Sequence, residues 1–301
     1  KTTIRLHCRL HLPSSILQFN TNGLISSFNE LASFLHKHKI LIACIQETKL
    51  SKSSILKPFP NYSTIRKDRP SGQGGGIAFL IHHSLNYTRL NLSHLQNDHV
   101  LEVDGIRVCL NGSPTDILNV YIPPPSSCPP GYSPDFTRLF QQTNDCLILG
   151  DFNAHNPSWY SSTSCISSKI RGDALLDAIN DSQLNILNED SSTRLPTYGP
   201  KSSPDISICS AHLSTVLNWY PLTTLNSDHL PILVSFPDNE KDTQDALRRI
   251  LTSKRLTGIP SQLNPNNFSP PYQIPPPVSL ANYPNCIQHF IPAGFRRNFI
   301  P

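Results

Sequence analysis

The pentapeptide Leu149-Gly150-Asp151-Phe152-Asn153 extends the apolar run of residues 146–149, which has the length of a buried β-strand. This strand would deliver Asp151 and Asn153 at its carboxyl end. Residues two apart on an extended chain point to the same side, so both side chains can serve one centre. A carboxylate can hold a metal ion or activate water, and an amide can orient a phosphate, which favours phosphodiester hydrolysis. A strand-ending turn is the alternative, because Asp and Asn are also common turn formers.

Further apolar runs of strand length lie on both sides of this segment. They predict strands at residues 16–19, 40–45, 77–81, 100–103, 106–110, 117–122, 206–209 and 232–236. Leu24, Phe28, Leu31 and Leu35 recur at helical spacing, and residues 172–182 also have helical character. Many short strands with few helices indicate an α+β or α/β sandwich of two sheets.

Composition divides the 301 residues into three regions. We expect an N-terminal extension at 1–14, one domain at 15–237, and a Pro-rich linker or disordered tail at 238–301, because residues 260–301 hold ten of the 28 prolines. No run of 18 apolar residues predicts a membrane span. The eight cysteines form no CxxC pair, which argues against a zinc site, and several lie in apolar runs typical of buried thiols in a reducing compartment.

The net charge of +4 conceals an uneven distribution. Residues 1–90 contain 12 Lys and Arg against 3 Asp and Glu, whereas residues 91–240 contain 6 against 16. A basic first third could contact the phosphates of a nucleic acid, although a solvated surface is an equally good interpretation. The candidate phosphate-binding residues are Lys49, Lys52, Lys57, Arg66, Lys67 and Arg69.

Polar side chains of suitable chemistry stand at the ends of other predicted strands. These residues are Asn20, Glu47, Tyr121, Asp205, Asp228 and His229. Taken singly, each residue is more often structural or solvated. Binding sites in open sheets lie beyond strand ends, so together they could supply a metal ligand, a water activator, an imidazole and phosphate donors. Gly74-Gly75-Gly76 is not followed by Lys-Ser/Thr, so we interpret it as a tight entry to a strand rather than a phosphate-binding loop.

Six motifs, in this order, resemble those of the endonuclease/exonuclease/phosphatase superfamily over about residues 15–237. They are Gln18-Phe19-Asn20-Thr21-Asn22-Gly23-Leu24, Gln46-Glu47-Thr48-Lys49, Asn119-Val120-Tyr121, Gly150-Asp151-Phe152-Asn153-Ala154-His155, Ser203-Pro204-Asp205-Ile206 and Ser227-Asp228-His229. The sequence is most similar to the endonuclease domain of LINE-type, jockey-like non-LTR retrotransposon polyproteins. The residues that carry this closer resemblance are Asn156-Pro157-Ser158-Trp159, Arg171-Gly172 and Pro196-Thr197-Tyr198.

The resemblance implies a DNase I-like, four-layer α/β sandwich, in which two packed mixed β-sheets are flanked by helices. It implies Mg²⁺ as the cofactor, with Mn²⁺ as a substitute. Glu47 resembles the principal metal ligand, Asn20 assists it, and Asp228 resembles a second carboxylate of the metal site. Lys49, Arg66, Lys67 and Arg69 would bind the nucleic acid.

The resemblance also implies the catalytic roles of five residues. Asp151 would activate the attacking water, and Asn153 would orient that water or the phosphate. Tyr121 would contact the phosphate. His229 would bind the scissile phosphate, with Asp205 orienting its imidazole.

The implied activity is nicking of target DNA in the nucleus, which leaves a 3′-hydroxyl that primes reverse transcription. Residues 238–301 contain no Tyr-x-Asp-Asp-like polymerase motif, and the chain contains no Met, so we expect a fragment whose reverse transcriptase domain lies elsewhere in a parent polyprotein. Two alternatives stay open. One is an abasic-site repair nuclease or another phosphoesterase of the same fold, and the other is an inactive relic of a retroelement.

Overall fold

A computed structural model of the chain describes residues 15–69, 74–141 and 145–237. The strands are β1 (Ser15–Asn20), β2 (Ile40–Gln46), β3 (Tyr62–Lys67), β4 (Ile77–His82), β5 (Tyr87–Arg89), β6 (Glu102–Leu110), β7 (Ser113–Tyr121), β8 (Asp145–Asp151), β9 (Leu184–Ile186), β10 (Asp205–Ser210), β11 (Asn218–Pro221) and β12 (Ile232–Ser235). The α-helices in these ranges are α1 (Phe28–Lys37), α2 (Phe136–Leu139) and α3 (Ile166–Asp181). The expected extension at 1–14 and tail at 238–301 lie outside the described residues.

The strands form two mixed sheets of six strands each. The first sheet has the order β11-β12-β1-β2-β4-β3, and the second has the order β5-β6-β7-β8-β10-β9. A parallel pair lies inside each sheet, β1 with β2 and β7 with β8, and the other neighbours are antiparallel. The parallel pairs matter for the site because parallel strands deliver their carboxyl ends to the same edge of a sheet.

Alternation along the strands divides the apolar residues into layers. In β1, Ile16 packs in the core between the two sheets, whereas Leu17 and Phe19 pack on the outer face with Leu31 and Leu35 of α1. The outer face of the second sheet is covered in the same way by α3. Its core includes Leu118, Ile148, Trp159, Leu175 and Ile179. The order is therefore helix, sheet, sheet, helix, which confirms the four-layer sandwich expected from the sequence.

Three predicted elements have different bounds in the structure. Strands predicted at 100–103 and 106–110 are one strand, β6, because Gly105 continues the ladder opposite Leu118. Helix α3 begins at Ile166, six residues before the predicted start, in a polar stretch without apolar periodicity. Strands β3, β5, β9 and β11 were not predicted. Each of the four is an edge strand and has few buried side chains, so its sequence lacks an apolar run.

Among the described cysteines, Cys44, Cys146 and Cys209 are free thiols and are buried as expected. Cys8 and Cys286 lie outside those ranges. Among the described residues, no helix combines the length and apolar character that crossing a membrane requires.

Candidate active site

Six of the residues singled out in the sequence meet at one end of the sandwich. Asn20 and Glu47 stand at the carboxyl ends of the parallel strands β1 and β2, and Tyr121 and Asp151 end the parallel strands β7 and β8. Asp205 begins β10, which runs antiparallel to β8 and places it opposite Asp151. His229 precedes β12, which is antiparallel to β1. The topology therefore gathers residues that lie up to 209 positions apart in the chain.

Asn20 lies between two carboxylates. Its Nδ2 donates to Oδ2 of Asp151 at 2.9 Å and to Oε1 of Glu47 at 3.2 Å. The Tyr121 hydroxyl donates to the same Oε1 at 3.1 Å. Glu47 adopts a left-handed backbone conformation, with φ of 48°, directly after β2. One amide and one hydroxyl thus hold two acidic side chains together at the sheet ends.

His229 forms a buried pair with Asp205. Its Nδ1 lies 2.8 Å from Oδ2 and 3.0 Å from Oδ1 of the carboxylate, and Thr193 Oγ1 donates to Oδ2 at 2.7 Å. The Nδ1 contact leaves Nε2 as the imidazole nitrogen available to a substrate, since no described residue hydrogen-bonds it. This geometry agrees with the expected orientation of His229 by Asp205.

Burial and the neighbouring charges shift the pKa of Asp151 and that of His229. Burial raises the pKa of Asp151 to about 7, and the negative charges of Asp205 and Glu47 add to this effect. Burial alone would lower the pKa of His229, but the charge of Asp205 and its hydrogen bond outweigh burial and raise that pKa to about 9. At neutral pH the site therefore holds a carboxyl group close to its titration midpoint and a protonated imidazole.

Three of these residues form a group that could hold a metal ion. Asp151, Asp205 and His229 each place one potential ligand atom within 4.8 Å of the other two, and all three are buried. Glu47 adjoins this group through Asn20, whose Nδ2 donates to both Glu47 and Asp151, while Asn20 Oδ1 accepts from the Asn22 N–H at 3.0 Å. Carboxylate oxygens are ligands that hard divalent cations prefer, so the acidic side chains of the site fit Mg²⁺ or Mn²⁺.

Asp228 and Asn153 are placed differently from this group. Oδ2 of Asp228 is 2.8 Å from both Nε and Nη2 of Arg194, which holds the pKa of that carboxyl below its usual range despite its partial burial. The Asn153 side chain donates through Nδ2 to the Ile122 carbonyl at 3.0 Å. Its backbone N–H donates to Asp151 Oδ1, also at 3.0 Å. The metal role of Asp228 thus stays a prediction, while Asn153 directly adjoins the site.

Two of the four expected nucleic-acid-binding residues flank the site. Lys49 Nζ lies 3.6 Å from Oε2 of Glu47, and the Arg69 guanidinium lies 5.8 Å from the centre of the Tyr121 ring while pairing with Glu102. The other two make intramolecular contacts. Arg66 pairs with Asp68 and binds two carbonyl oxygens, and Lys67 donates to the Val103 carbonyl. Their contacts to nucleic acid stay predictions.

A buried polar layer between the sheets supports the site and was not found in the sequence. Gln18 Nε2 donates to the Gly150 carbonyl at 3.0 Å, and its Oε1 accepts from Ser207 at 2.7 Å. Gln46 donates to Asn119 at 2.7 Å, and Asn119 donates to two carbonyls of the first sheet. These side chains fix the spacing of the sheets directly behind the site, and their polarity within apolar strands is the signal that could have revealed them.

The glycine triplet lies beside Glu47 rather than at a phosphate. The N–H of Thr48 donates to the Gly76 carbonyl and that of Lys49 to the Gly75 carbonyl, while the N–H of Gly76 donates to Glu102. A side chain on Gly76 would lie 2.5 Å from the Thr48 hydroxyl, so only glycine allows this approach. The prediction of a tight strand entry is confirmed.

Comparisons with known proteins agree with this arrangement. A family model described as endonuclease-reverse transcriptase matches residues 115–233, which include Tyr121, Asp151, Asp205 and His229. Two Drosophila melanogaster proteins are similar to the chain. The probable RNA-directed DNA polymerase from transposon BS is 24% identical over 259 residues, and that from transposon X-element is 26% identical over 257 residues. These matches cover 83% and 84% of this chain but only 27% of each relative, so the chain spans about a quarter of their length.

Solved structures share the fold. The endonuclease domain of TRAS1, a telomere-specific non-LTR retrotransposon, matches with a TM-score of 0.60 and 20% identity, over 75% of this chain and 98% of that domain. The AP endonuclease LMAP from Leishmania major matches with a TM-score of 0.61 and 14% identity, over 74% of this chain and 87% of that protein. Residues 115–233 therefore match the endonuclease-reverse transcriptase family model, and the chain has the endonuclease/exonuclease/phosphatase fold and is distantly homologous to the two transposon polymerases.

Proposed function

We propose that the domain is a divalent-metal-dependent endonuclease that nicks DNA, and that in a parent retrotransposon polyprotein the new 3′-hydroxyl primes reverse transcription. The observation that carries the proposal is the convergence of Asn20, Glu47, Asp151 and the His229–Asp205 pair at one end of the sandwich. This set combines an acidic metal site, a potential base and an imidazolium around one position, which phosphodiester hydrolysis requires.

Glu47 would be the principal ligand of Mg²⁺, and Asn20 would assist by fixing the Glu47 carboxylate through its amide. A bound Mg²⁺ supplies positive charge that polarises the phosphate and stabilises the developing negative charge. Asp228 is the more remote candidate, because Arg194 already pairs with its carboxylate.

Asp151 is the residue suited to accept a proton from the attacking water. Burial raises its pKa above the ordinary range of an aspartate, which makes the carboxylate a stronger proton acceptor. Asn153 holds Oδ1 of Asp151 through its backbone N–H and so fixes the carboxylate in one orientation. The Asn153 side-chain oxygen would then orient the water or a phosphate oxygen.

His229 is suited to bind the scissile phosphate. With a pKa of about 9 the imidazole is protonated at neutral pH, and Asp205 engages its Nδ1, so Nε2–H would donate to a phosphate oxygen. The Tyr121 hydroxyl, whose pKa is raised by burial and by Glu47, stays protonated and donates its one proton to Glu47 in this structure. It would contact the phosphate only by exchanging Glu47 for a phosphate oxygen.

A polymeric substrate is favoured over a small phosphoester by the basic residues around the site. Lys49 and Arg69 flank Glu47 and Tyr121, and the first 90 residues have an excess of nine positive charges. A DNA strand would place many phosphates against such a basic surface, whereas an inositol phosphate would contact only part of it.

The test is nicking of a supercoiled plasmid with Mg²⁺, with and without a chelator. We expect relaxed plasmid circles whose nicks a DNA polymerase can extend. We also expect Asp151→Asn and His229→Ala to lose nicking activity. Asp177→Asn, an exposed position on α3, is the matched control that should retain full activity. A folded wild-type protein that binds Mg²⁺ without nicking would indicate an inactive relic. Faster cleavage of an abasic duplex than of plain duplex would indicate a repair nuclease.

A further inference from the structure

A buried arginine on α3 reaches the loop that carries Asn153. The Arg171 side chain is 6% exposed, and its Nη1 donates to the carbonyls of Pro123 at 2.7 Å, Phe152 at 3.2 Å and Asn153 at 3.4 Å. Its Nη2 lies 3.4 Å from Sγ of Cys128. No carboxylate within the described ranges forms a salt bridge with Arg171, so its charge is directed entirely at backbone oxygens and a thiol.

Burying a guanidinium without an acidic partner costs free energy. We therefore expect the contacts of Arg171 with the backbone carbonyls to have a function beyond packing. The helix comes unusually close to the loop at this point. A side chain on Gly172, the next residue, would lie 2.1 Å from the His155 carbonyl, and the His155 N–H donates to the Ser168 carbonyl of α3. At Arg171 and Gly172, α3 thus packs closely against residues 152–155, which directly follow Asp151.

The Asn153 backbone is held from more than one element. Asn153 has a φ of 46°, in the left-handed region that Asn adopts more readily than most residues other than glycine. Three contacts fix this conformation: its N–H to Asp151, its Nδ2 to the Ile122 carbonyl, and the Arg171 contact on its carbonyl. The first two involve the end of β8 and the residue that follows β7, and the third comes from α3.

We propose that Arg171 is a positioning residue for phosphodiester cleavage, acting by holding the Asn153 backbone so that Asn153 and Asp151 keep their mutual geometry. This inference rests on the proposed nuclease function. Arg171 does not touch the reacting atoms. Its effect passes through the Asn153 carbonyl to the N–H that holds Asp151 and to the side chain that would orient the water.

The test is a double-mutant cycle of Arg171→Lys with Asn153→Ala, measured as steady-state and single-turnover nicking. Arg171→Lys keeps the charge but cannot reach three carbonyls, so we expect kcat to fall about 10- to 100-fold, as small misplacements do, with KM changed little. In the Asn153→Ala background the same change should cost less than in wild type, because the side-chain part of its effect is already lost while the backbone N–H to Asp151 remains. Arg107→Lys, an arginine paired with Asp116 far along β6, is the matched control expected to keep wild-type kinetics.

Arg171→Met keeps much of the side-chain volume without a buried charge, and serves as the second variant if Arg171→Lys fails to fold. Losses that simply multiply in the double variants would overturn the inference, as would a rise in KM with kcat unchanged. Wild-type protein that does not nick would overturn the proposed function as well. Nicking by wild type with multiplying losses would overturn the positioning role alone.

Discussion

His229 Nδ1 lies 2.8 Å from Oδ2 of Asp205, and both side chains are almost fully buried. The pairing joins β10 of one sheet to the segment that leads into β12 of the other, so it contributes to the contact between the sheets as well as to the site. A proton on the imidazole is stabilised by the carboxylate that faces it, which makes the pair sensitive to pH.

The first prediction concerns pH and stability in the metal-free protein. Since the folded pKa of His229, about 9, exceeds its ordinary value of 6.5, the folded state binds the proton more tightly than the unfolded state. The stabilisation is therefore fully present below about pH 6.5 and is lost as the pH rises through 9. Denaturant unfolding in EDTA at pH 6 and at pH 9.5 measures this loss.

Asp205→Asn is the variant that isolates the effect. It should lower the His229 pKa, measured by NMR titration of the imidazole, and cost about 3 kcal/mol of stability at pH 6 but less at pH 9.5. Stability that falls between these pH values to the same extent in wild type and in Asp205→Asn would contradict the prediction.

The second prediction concerns the amide that separates two carboxylates. Asn20→Asp would replace the donor shared by Glu47 and Asp151 with a third negative charge. We expect the free energy of unfolding at pH 8 in EDTA to fall by about 2 to 4 kcal/mol, because a buried like charge is added and a hydrogen bond is lost. Mg²⁺ should restore part of the loss, since a bound cation offsets the added charge.

Asn20→Ala removes the donor without adding a charge and is the control for this comparison. It should lose less stability than Asn20→Asp at pH 8, and the gap should close below pH 4 as the carboxylates become protonated. Equal losses at pH 8, with no response of Asn20→Asp to Mg²⁺, would show that electrostatic repulsion is not the main effect.

Much of this architecture could be predicted from the sequence because its central strands are buried on both faces. Strand β2 is buried at every residue, so its apolar run is unbroken and the Glu47 that follows it stands out. Edge strands such as β5 and β9 carry no such signal. Their positions are set by pairing with β6 and β10, which is information that lies outside the local sequence.

The residues of the candidate site also differ in whether the local sequence predicts them. Asp151 and Asn153 follow a clear apolar run, so the sequence alone predicts them as site residues. The other residues of the site can be predicted because each also borders an apolar run. Thr193 and Arg171 were not recognised as site residues, because one lies in an irregular loop and the other on a helix. Their contacts depend on chain segments 12 to 48 residues away, which local patterns do not encode.

The third prediction concerns two glycines at close backbone contacts. A Cβ on Gly150 would lie 2.0 Å from the Val120 carbonyl oxygen, and one on Gly172 would lie 2.1 Å from that of His155. Backbone atoms cannot rotate away, so Gly150→Ala and Gly172→Ala should each lose about 3 kcal/mol or more. Gly131→Ala is the control, because its surroundings are open and only its φ of 76° opposes a side chain, at about 1 kcal/mol. Similar thermal unfolding of all three variants would refute the role of close approach.

The fourth prediction concerns a hairpin beside the His229–Asp205 pair. Arg194 and Ser202 exchange backbone hydrogen bonds of 2.9 and 3.2 Å, and the Leu195 N–H donates to the Asp228 carbonyl at 2.7 Å. The hairpin is thereby fixed to the residue that precedes His229. Its tip presents Tyr198 with the side chain 91% exposed, an unusual position for an aromatic ring on a protein surface.

An exposed ring on a hairpin whose base contacts the residue before His229 is suited to stack on a base or to enter a groove of the DNA. Stacking on an aromatic ring contributes about 1–3 kcal/mol per base, so Tyr198→Ala should weaken DNA binding by about 5- to 100-fold, with kcat on saturating DNA nearly unchanged. Tyr198→Phe should bind like wild type, because stacking needs the ring and not the hydroxyl. Tyr220→Ala, on the edge strand β11 and 40% exposed, controls for the loss of any surface tyrosine. Fluorescence anisotropy with a labelled duplex separates the cases: equal affinities for Tyr198→Ala and Tyr220→Ala would exclude the tip from recognition, whereas a loss confined to Tyr198→Ala would place DNA against the hairpin.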